Sequence, residues 1–523
     1  MTFVLPKKDT GGMGADGAVQ GMYTKYMGLR SMFLLRAREA ATLTIPALVP
    51  PEGANSGTLY PTPYQALGAR GVNNLASKLL LTLLPPNASC FRLSIDDFEL
   101  AKLTKQKGMR GKIEEAFGQI ERAVTGRIET SALRVKMFEG LKQLIVAGNV
   151  LCHLLPDGTM RVFPLSRYVV KRDPVGTVLE IIVKEDLAPV AIPADVRAAC
   201  GIDDASEDAH PNVSLYTRVY REAGAPGFVI YQEMNGIRVP SSEGSYPLDE
   251  CPWLALRFTS VENEDYGRGY VEEYMGDLKS LEGLSKAMLE ASAAAARILF
   301  FLKPTATTNK KKLMSAPNGS VIDGNIDDVK ILQLDKYADL RIAFDQAQEL
   351  TKRLSFAFLL NSSVQRSGDR VTAEEIRYMA GELEDALGGI YSILSQEFQL
   401  PLIKVEMHQM AAAGKLPTLP KDLVKPMVTT GLEALGRGHD LNKLNTLIQQ
   451  IVPLGPDVVQ KYFNYDELIK RVGTSLGIDM QGLIRTPEEV AAKEQQDQAM
   501  QMAQSAAPHL AKAGAEAMTQ PQQ

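Results

Sequence analysis

YVEEYMGDLKSLEGLSKAMLEASAAAARILFFL, residues 270–302, is the most regular stretch of the 523-residue chain. Val271, Tyr274, Leu278, Leu281, Leu284, Met288, Ile298 and Leu302 recur at helical spacing. That pattern predicts an amphipathic rod of roughly 50 Å at 1.5 Å rise per residue, ended by Pro304. Alanines 293–296 would let a neighbouring helix, from the same or an adjacent subunit, approach closely. Thr305 to Gly324 is polar, carries Lys310-Lys311-Lys312 and Asn318-Gly319, and reads as an exposed excursion. Helical periodicity resumes from Lys336 to Phe358, so two long helices flank a short protruding unit.

Working outward toward the C-terminus, a second excursion at Asn361–Arg370 precedes Thr372 with Glu375 three residues later. This pair forms a capping box, which satisfies orphan amides at a helix start. The helix it opens carries Ile376, Met379, Leu383, Leu387, Ile390, Leu394 and Phe398, and Pro401 is expected to close it. Gly388-Gly389 in its middle predicts a bend or a close contact. The Ala-, Gln- and Met-rich stretch 488–523 has too few large apolar residues to pack a core and is expected to be disordered unless partners order it.

Toward the N-terminus, polar residues 1–20 read as a flexible arm, followed by a helix over Val19–Leu43. Five prolines make Ile45–Pro63 a loop, and further helices are expected over Tyr64–Leu84 and Lys112–Ala147, the first stopped by Pro85-Pro86. Between about 150 and 260 the character changes. Short β-rich runs at Arg161–Phe163, Val178–Val183, Leu215–Tyr220 and Phe228–Gln232 alternate with turns at Pro156-Asp157-Gly158, Asp173-Pro174 and Asn235-Gly236. The expected fold class is therefore mainly α with an inserted antiparallel β subdomain (α+β).

Composition narrows the function. A formal charge of −5 argues against tight DNA binding by the whole surface, since gripping phosphates takes a surplus of Lys and Arg. An acidic wall past which DNA slides without deep electrostatic wells is compatible with it. Cys90, Cys152, Cys200 and Cys251 form no C-x-x-C pair, and reduced thiols are expected. Neither a signal peptide nor a membrane-spanning run is expected.

Catalytic chemistry finds no foothold. Residues 12–17 match G-x-G-x-x-G but lack a preceding buried strand, and Gly111-Lys112 and Gly414-Lys415 are not followed by the Ser or Thr of a P-loop. His153, His210, His408, His439 and His509 have no metal-ligand spacing, and Glu272-Glu273 and Glu374-Glu375 read as solvated helix faces. No catalytic residue, cofactor or metal is expected. Arg366 and Arg370 bracket an exposed connector and either serve it as ordinary surface charges or point at a polyanion. Lys310, Lys311 and Lys312 read first as a solvated loop and second as a phosphate contact.

Four long blocks are similar to the portal, or head-to-tail connector, family of short-tailed, autographivirus-type bacteriophages. They are PTPYQALGARGVNNLASK at 61–78, FEGLKQLIVAGNV at 138–150, YGRGYVEEY at 266–274, and RLSFAF at 353–358 continuing through VTAEEIRY at 371–378. The resemblance implies a ring of about twelve subunits at one capsid vertex. It implies a wing at 21–265, a first stem helix at 266–302, a clip at 303–334, a second stem helix at 335–358 and a channel loop at 359–370. A long helix at 371–400 and a crown at 401–487 complete the plan.

It also implies an assembly in the host cytoplasm that joins the virion at the head-tail vertex and meets major capsid and scaffolding proteins, a terminase large subunit, tail adaptors, internal core proteins and double-stranded DNA. Arg366 and Arg370 become DNA-channel candidates and Lys310–Lys312 clip-docking candidates. Rival readings are a phage nucleic-acid enzyme, such as a terminase or nuclease, and a different structural tail component.

Overall fold

The computed structural model describes residues 18–94 except 56, 87 and 88; 109–202; 212–221; 225–295; 299–332 except 306; 337–360; 381; 389–416; 427–430; and positions 446, 449, 450 and 496. The chain divides into one unit of residues 1–95 and 119–435 and another of 96–118 and 436–523. In the second unit the described residues are the first turns of one helix and isolated helical positions.

Helices α1 (Ala18–Thr42) and α2 (Leu67–Leu83) are followed by strand β1 (Phe91–Ser94), then α3 (Met109–Thr130) and α4 (Leu133–Ala147). Strands β2 (Asn149–Leu154), β3 (Met160–Pro164), β4 (Tyr168–Arg172) and β5 (Val178–Leu187) come next, then α5 (Ala194–Ala199). The β region continues with β6 (Val213–Tyr220), β7 (Gly227–Met234), β8 (Ile237–Arg238), β9 (Gly244–Pro247) and β10 (Trp253–Arg257). Two antiparallel sheets result, one ordered β10-β2-β3 and one ordered β4-β5-β6-β7 with β8 and β9 both on β7. The expected β runs and their turns all fall inside this subdomain.

Each sheet takes a helix on its apolar face. Val19 and Tyr23 of α1 pack on Val169, Ile182, Tyr216 and Tyr231 of the larger sheet. The Glu233 carboxylate accepts from the amides of Val19 and Gln20, answering donors that a helix start leaves open. The expected helix over 112–147 is two helices, because Ala132 turns left-handed at φ 53°. Thr130 Oγ1 and Ser131 Oγ donate back to Gly126 and Ile128 carbonyls there, a local bonding that competes with the helical ladder.

The stretch quoted above departs most from expectation. It forms a short turn of helix α6 (Tyr270–Glu273) and α7 (Met275–Ala295), 21 residues or about 31 Å, and then strand β11 (Leu299–Leu302). A run of consecutive Ile, Leu and Phe carries no helical period, and it pairs antiparallel with β12 (Val329–Leu332). Helix α8 (Lys310–Ser315) lies between these strands, and α9 (Tyr337–Ala357) follows them.

The helix expected to run to Pro401 is also revised. Gly389 is left-handed at φ 89°, which fulfils the bend expected at the paired glycines, and α10 (Ile390–Leu394) begins after it. Residues 395–399 then widen into a π turn in which Leu400 N–H donates to Ser395 O, and α11 (Leu400–Ala412) carries Pro401 in its first turn. The wider turn removes the clash between the proline ring and the carbonyl four residues back, so the helix passes through Pro401 instead of stopping. Strand β13 (Met427–Thr430) pairs antiparallel with β1, a pairing of residues far apart in sequence that no local pattern signals.

Helix α11 is held by a buried ion pair. Glu406 is fully buried and meets Arg127 Nε at 2.7 Å, while Arg127 Nη2 donates to Gln409 and to the Pro156 carbonyl at 2.9 Å each. Burial pushes the Glu406 carboxyl up to about 7, with Arg127 opposing the rise. A carboxyl raised in the folded state adds stability that is complete below its ordinary value of 4.5 and is lost as pH climbs through about 7. Between about pH 5 and pH 8, thermal melting of the natural chain is therefore expected to fall relative to Glu406→Gln. Parallel melting profiles for the two proteins would contradict this account of the pair.

Candidate functional site

Helices α7 and α9 run antiparallel, as the ion pair between Asp277 near the start of one and Arg353 near the end of the other requires. Their root is packed with aromatic rings. Phe358 lies edge-on to Tyr270 at 5.7 Å between centroids and tilted to Tyr274 at 5.9 Å, and Tyr270 meets Phe258 at 5.8 Å. The buried Tyr270 hydroxyl donates to the Ala357 carbonyl at 2.8 Å, and burial pushes its phenol well above the usual range.

Helix α2 braces that root. A Cβ on Gly71 would stand 2.5 Å from Phe358 Cγ, so only glycine lets the helix approach the ring this closely. Asn74, one turn further along, donates its side-chain amide to the carbonyls of Phe358 and Leu359 at 2.9 and 3.0 Å. From the other side the Glu282 carboxylate on α7 accepts from the amides of Tyr64 and Gln65, and Gln65 Oε1 accepts from Gly68 N–H. The start of α2 is thus capped by its own Gln65 and tied to α7.

A second junction lies beside it. Gly148 is left-handed at φ 71°, and a Cβ there would fall 2.3 Å from the Arg268 carbonyl carbon. Asn149 Nδ2 donates to Gly267 O and its Oδ1 accepts from Gly267 N–H, both at 2.7 Å. The blocks at 61–78 and 353–358 therefore meet through Gly71 and Asn74, and those at 138–150 and 266–274 through Gly148 and Asn149. Sequence reasoning did not single out Gly71, Asn74, Asn149 or Glu282. Gly71, Asn74 and Asn149 lie inside those blocks, whose length was the signal, whereas Glu282 lies outside them.

At the far end of the helix pair, β11 and β12 carry the excursion 303–328. Asp328 organises its base, accepting from Thr307 N–H at 2.9 Å and from the hydroxyls of Thr307 and Thr308. These bonds, the Thr307 amide foremost, hold its carboxyl below the usual range. Lys310, Lys311 and Lys312 stand not in a loop but in the first turn of α8, where the Asn309 side chain accepts from the amides of Lys311 and Lys312. All three lysines are exposed. In the same excursion Met314, Val321 and Ile326 are 79%, 98% and 89% exposed.

The DNA-channel candidates Arg366 and Arg370 and the capping pair Thr372 and Glu375 lie outside the described residues, as do the G-x-G-x-x-G at 12–17 and most of the stretch from 488 onward. Among the described residues no group of histidines, cysteines and carboxylates could hold a metal ion, and no helix is long and apolar enough to cross a membrane. Cys90, Cys152, Cys200 and Cys251 are all free and buried.

The family model described as bacteriophage head to tail connecting protein matches residues 16–484. The chain is 41% identical to the portal protein of Escherichia phage T7 over 496 residues, 94% of this chain and 92% of that one. It is likewise 41% identical to the portal protein of Enterobacteria phage T3, covering 95% and 93%. With the portal protein of Enterobacteria phage SP6 it shares 30% identity, covering 94% of each chain. A match of this length takes in the aromatic root of α7 and α9, the excursion and the β subdomain alike, and the chain belongs to the bacteriophage head-to-tail connector (portal) family.

Proposed function

We propose that copies of this chain close into a ring of about twelve around a passage for double-stranded DNA, with α7 and α9 lining the stem and the excursion at 303–334 forming its outer end. As a head-to-tail connector the chain is a structural component of the phage particle and not an enzyme. The observation that carries the ring is the apolar surface of the helix pair. Leu289, Ile342, Phe344 and Phe356 are 55%, 63%, 52% and 78% exposed in the single chain. Apolar side chains in that number on two adjacent helices favour a neighbouring subunit over water.

In this reading residues 21–265 form the wing against capsid and scaffolding proteins, and the parts from 371 onward form the long helix and the crown facing internal core proteins. The terminase large subunit docks at the clip during packaging and tail adaptors replace it. Three consecutive exposed lysines on α8 support a docking role, because they give the excursion a local positive charge in a chain of net charge −5. The channel segment 359–370 brings Arg366 and Arg370 to the DNA. A few arginines in a chain of net charge −5 slow the DNA without trapping it.

Replacing Arg366 or Arg370 by Ala is expected to leave the ring intact and to impair packaging or retention of DNA, measured as the DNA content of assembled particles. Normal content in both variants would remove them from the channel. Replacing Lys310, Lys311 and Lys312 together by Gln is expected to weaken terminase or adaptor binding by purified rings about tenfold or more. Unchanged binding would return the three lysines to solvent.

A further inference from the structure

Leu359 is the strained residue of the stem root, and its surroundings give Asn74 a specific task. Helix α9 ends in a Schellman turn: Leu360 N–H donates to Ser355 O at 2.8 Å, Leu359 N–H donates to Phe356 O at 3.0 Å, and Leu359 takes φ 54°. Glycine usually fills that position, because a Cβ opposes the left-handed conformation. Here it is a leucine whose side chain is buried, so the turn must be held by what touches it.

One of its contacts spans the turn. Asn74 Nδ2 donates to Phe358 O and to Leu359 O, the carbonyls just before and just after the strained φ and ψ angles. One amide group thus bridges the peptide units on either side of the left-handed residue. Gly71 seats the Phe358 ring against the same helix, and the Tyr270 hydroxyl fixes Ala357 O one residue earlier. Each link on both sides of Leu359 is thereby pinned to the body of the fold, immediately before the chain leaves for residues 361–370.

We propose that Asn74 is a latch that holds Leu359 in its left-handed turn and so fixes the direction in which the chain leaves the stem. Asn74 is then a positioning residue for the channel segment, a role that rests on the channel reading given above. Without the latch, Leu359 relaxes toward the ordinary right-handed or extended region.

The test uses the full-length chain as assembled rings, with Asn74→Leu, Leu359→Gly and the two combined. Hydrogen exchange is measured at the amides of Leu359 and Leu360, and DNA content is measured in particles assembled from each variant. Asn74→Leu is expected to speed exchange about tenfold in the natural background. In the Leu359→Gly background it is expected to change exchange by less than about twofold, since glycine adopts the turn unaided. Comparing Asn74→Leu within each background cancels the effect of removing the buried leucine side chain. Equal acceleration in both backgrounds, or none in the natural one, would overturn the latch. Exchange that follows the expected pattern while every variant retains DNA normally would leave the latch standing and overturn the channel reading of 361–370.

Discussion

The Phe358 ring lies against the Cα of Gly71, and much of the structure depends on that contact. It brings α2 to the end of α9, places Asn74 under the last carbonyls of that helix, and sets Tyr270 and Tyr274 around the ring. A methyl group at position 71 would push the ring or the helix aside, at a typical overpacking cost of about 1–3 kcal/mol. Because Glu282 of α7 holds the segment leading into α2 while α9 is seated against its middle, both helices of the pair are registered on one rigid element. A hairpin fixed at its root can hold a solvent-exposed tip in a defined place.

Much of this fold was legible in the sequence, and the failures have identifiable causes. The β subdomain announced itself through turn residues and alternating apolar runs, and the helices α1, α2 and α9 through their period. Leu299 to Leu302 was misread as helix because four consecutive apolar residues match either structure, and the partner strand at Val329–Leu332 lies across an excursion. Pro401 was misread as a stop because nothing local signals the π turn ahead of it. The pairing of Phe91–Ser94 with Met427–Thr430 is set by tertiary structure alone.

The site was legible in outline and not in detail. The lysines of the excursion could be named from sequence, although their place in a capped helical turn could not. Gly71, Asn74, Asn149 and Glu282 sit in ordinary helix or strand positions, and their partners lie between 118 and 287 residues away along the chain. Only a folded arrangement reveals that an asparagine amide answers two carbonyls of a strained turn. Long blocks shared with the portal family mark where such contacts cluster, and the geometry supplies the reason those stretches are held together.

Charge and burial fit a connector that lets DNA pass. The chain is slightly acidic overall, and α7 and α9 carry exposed apolar residues that the proposed ring would cover. Imaging of the purified full-length chain by electron microscopy, together with its mass in solution, tests this most directly. The account predicts closed rings of about twelve subunits around a central hole, with α7 and α9 buried between neighbours. A monodisperse monomer under all salt conditions, with Leu289, Ile342, Phe344 and Phe356 open to solvent, would contradict it.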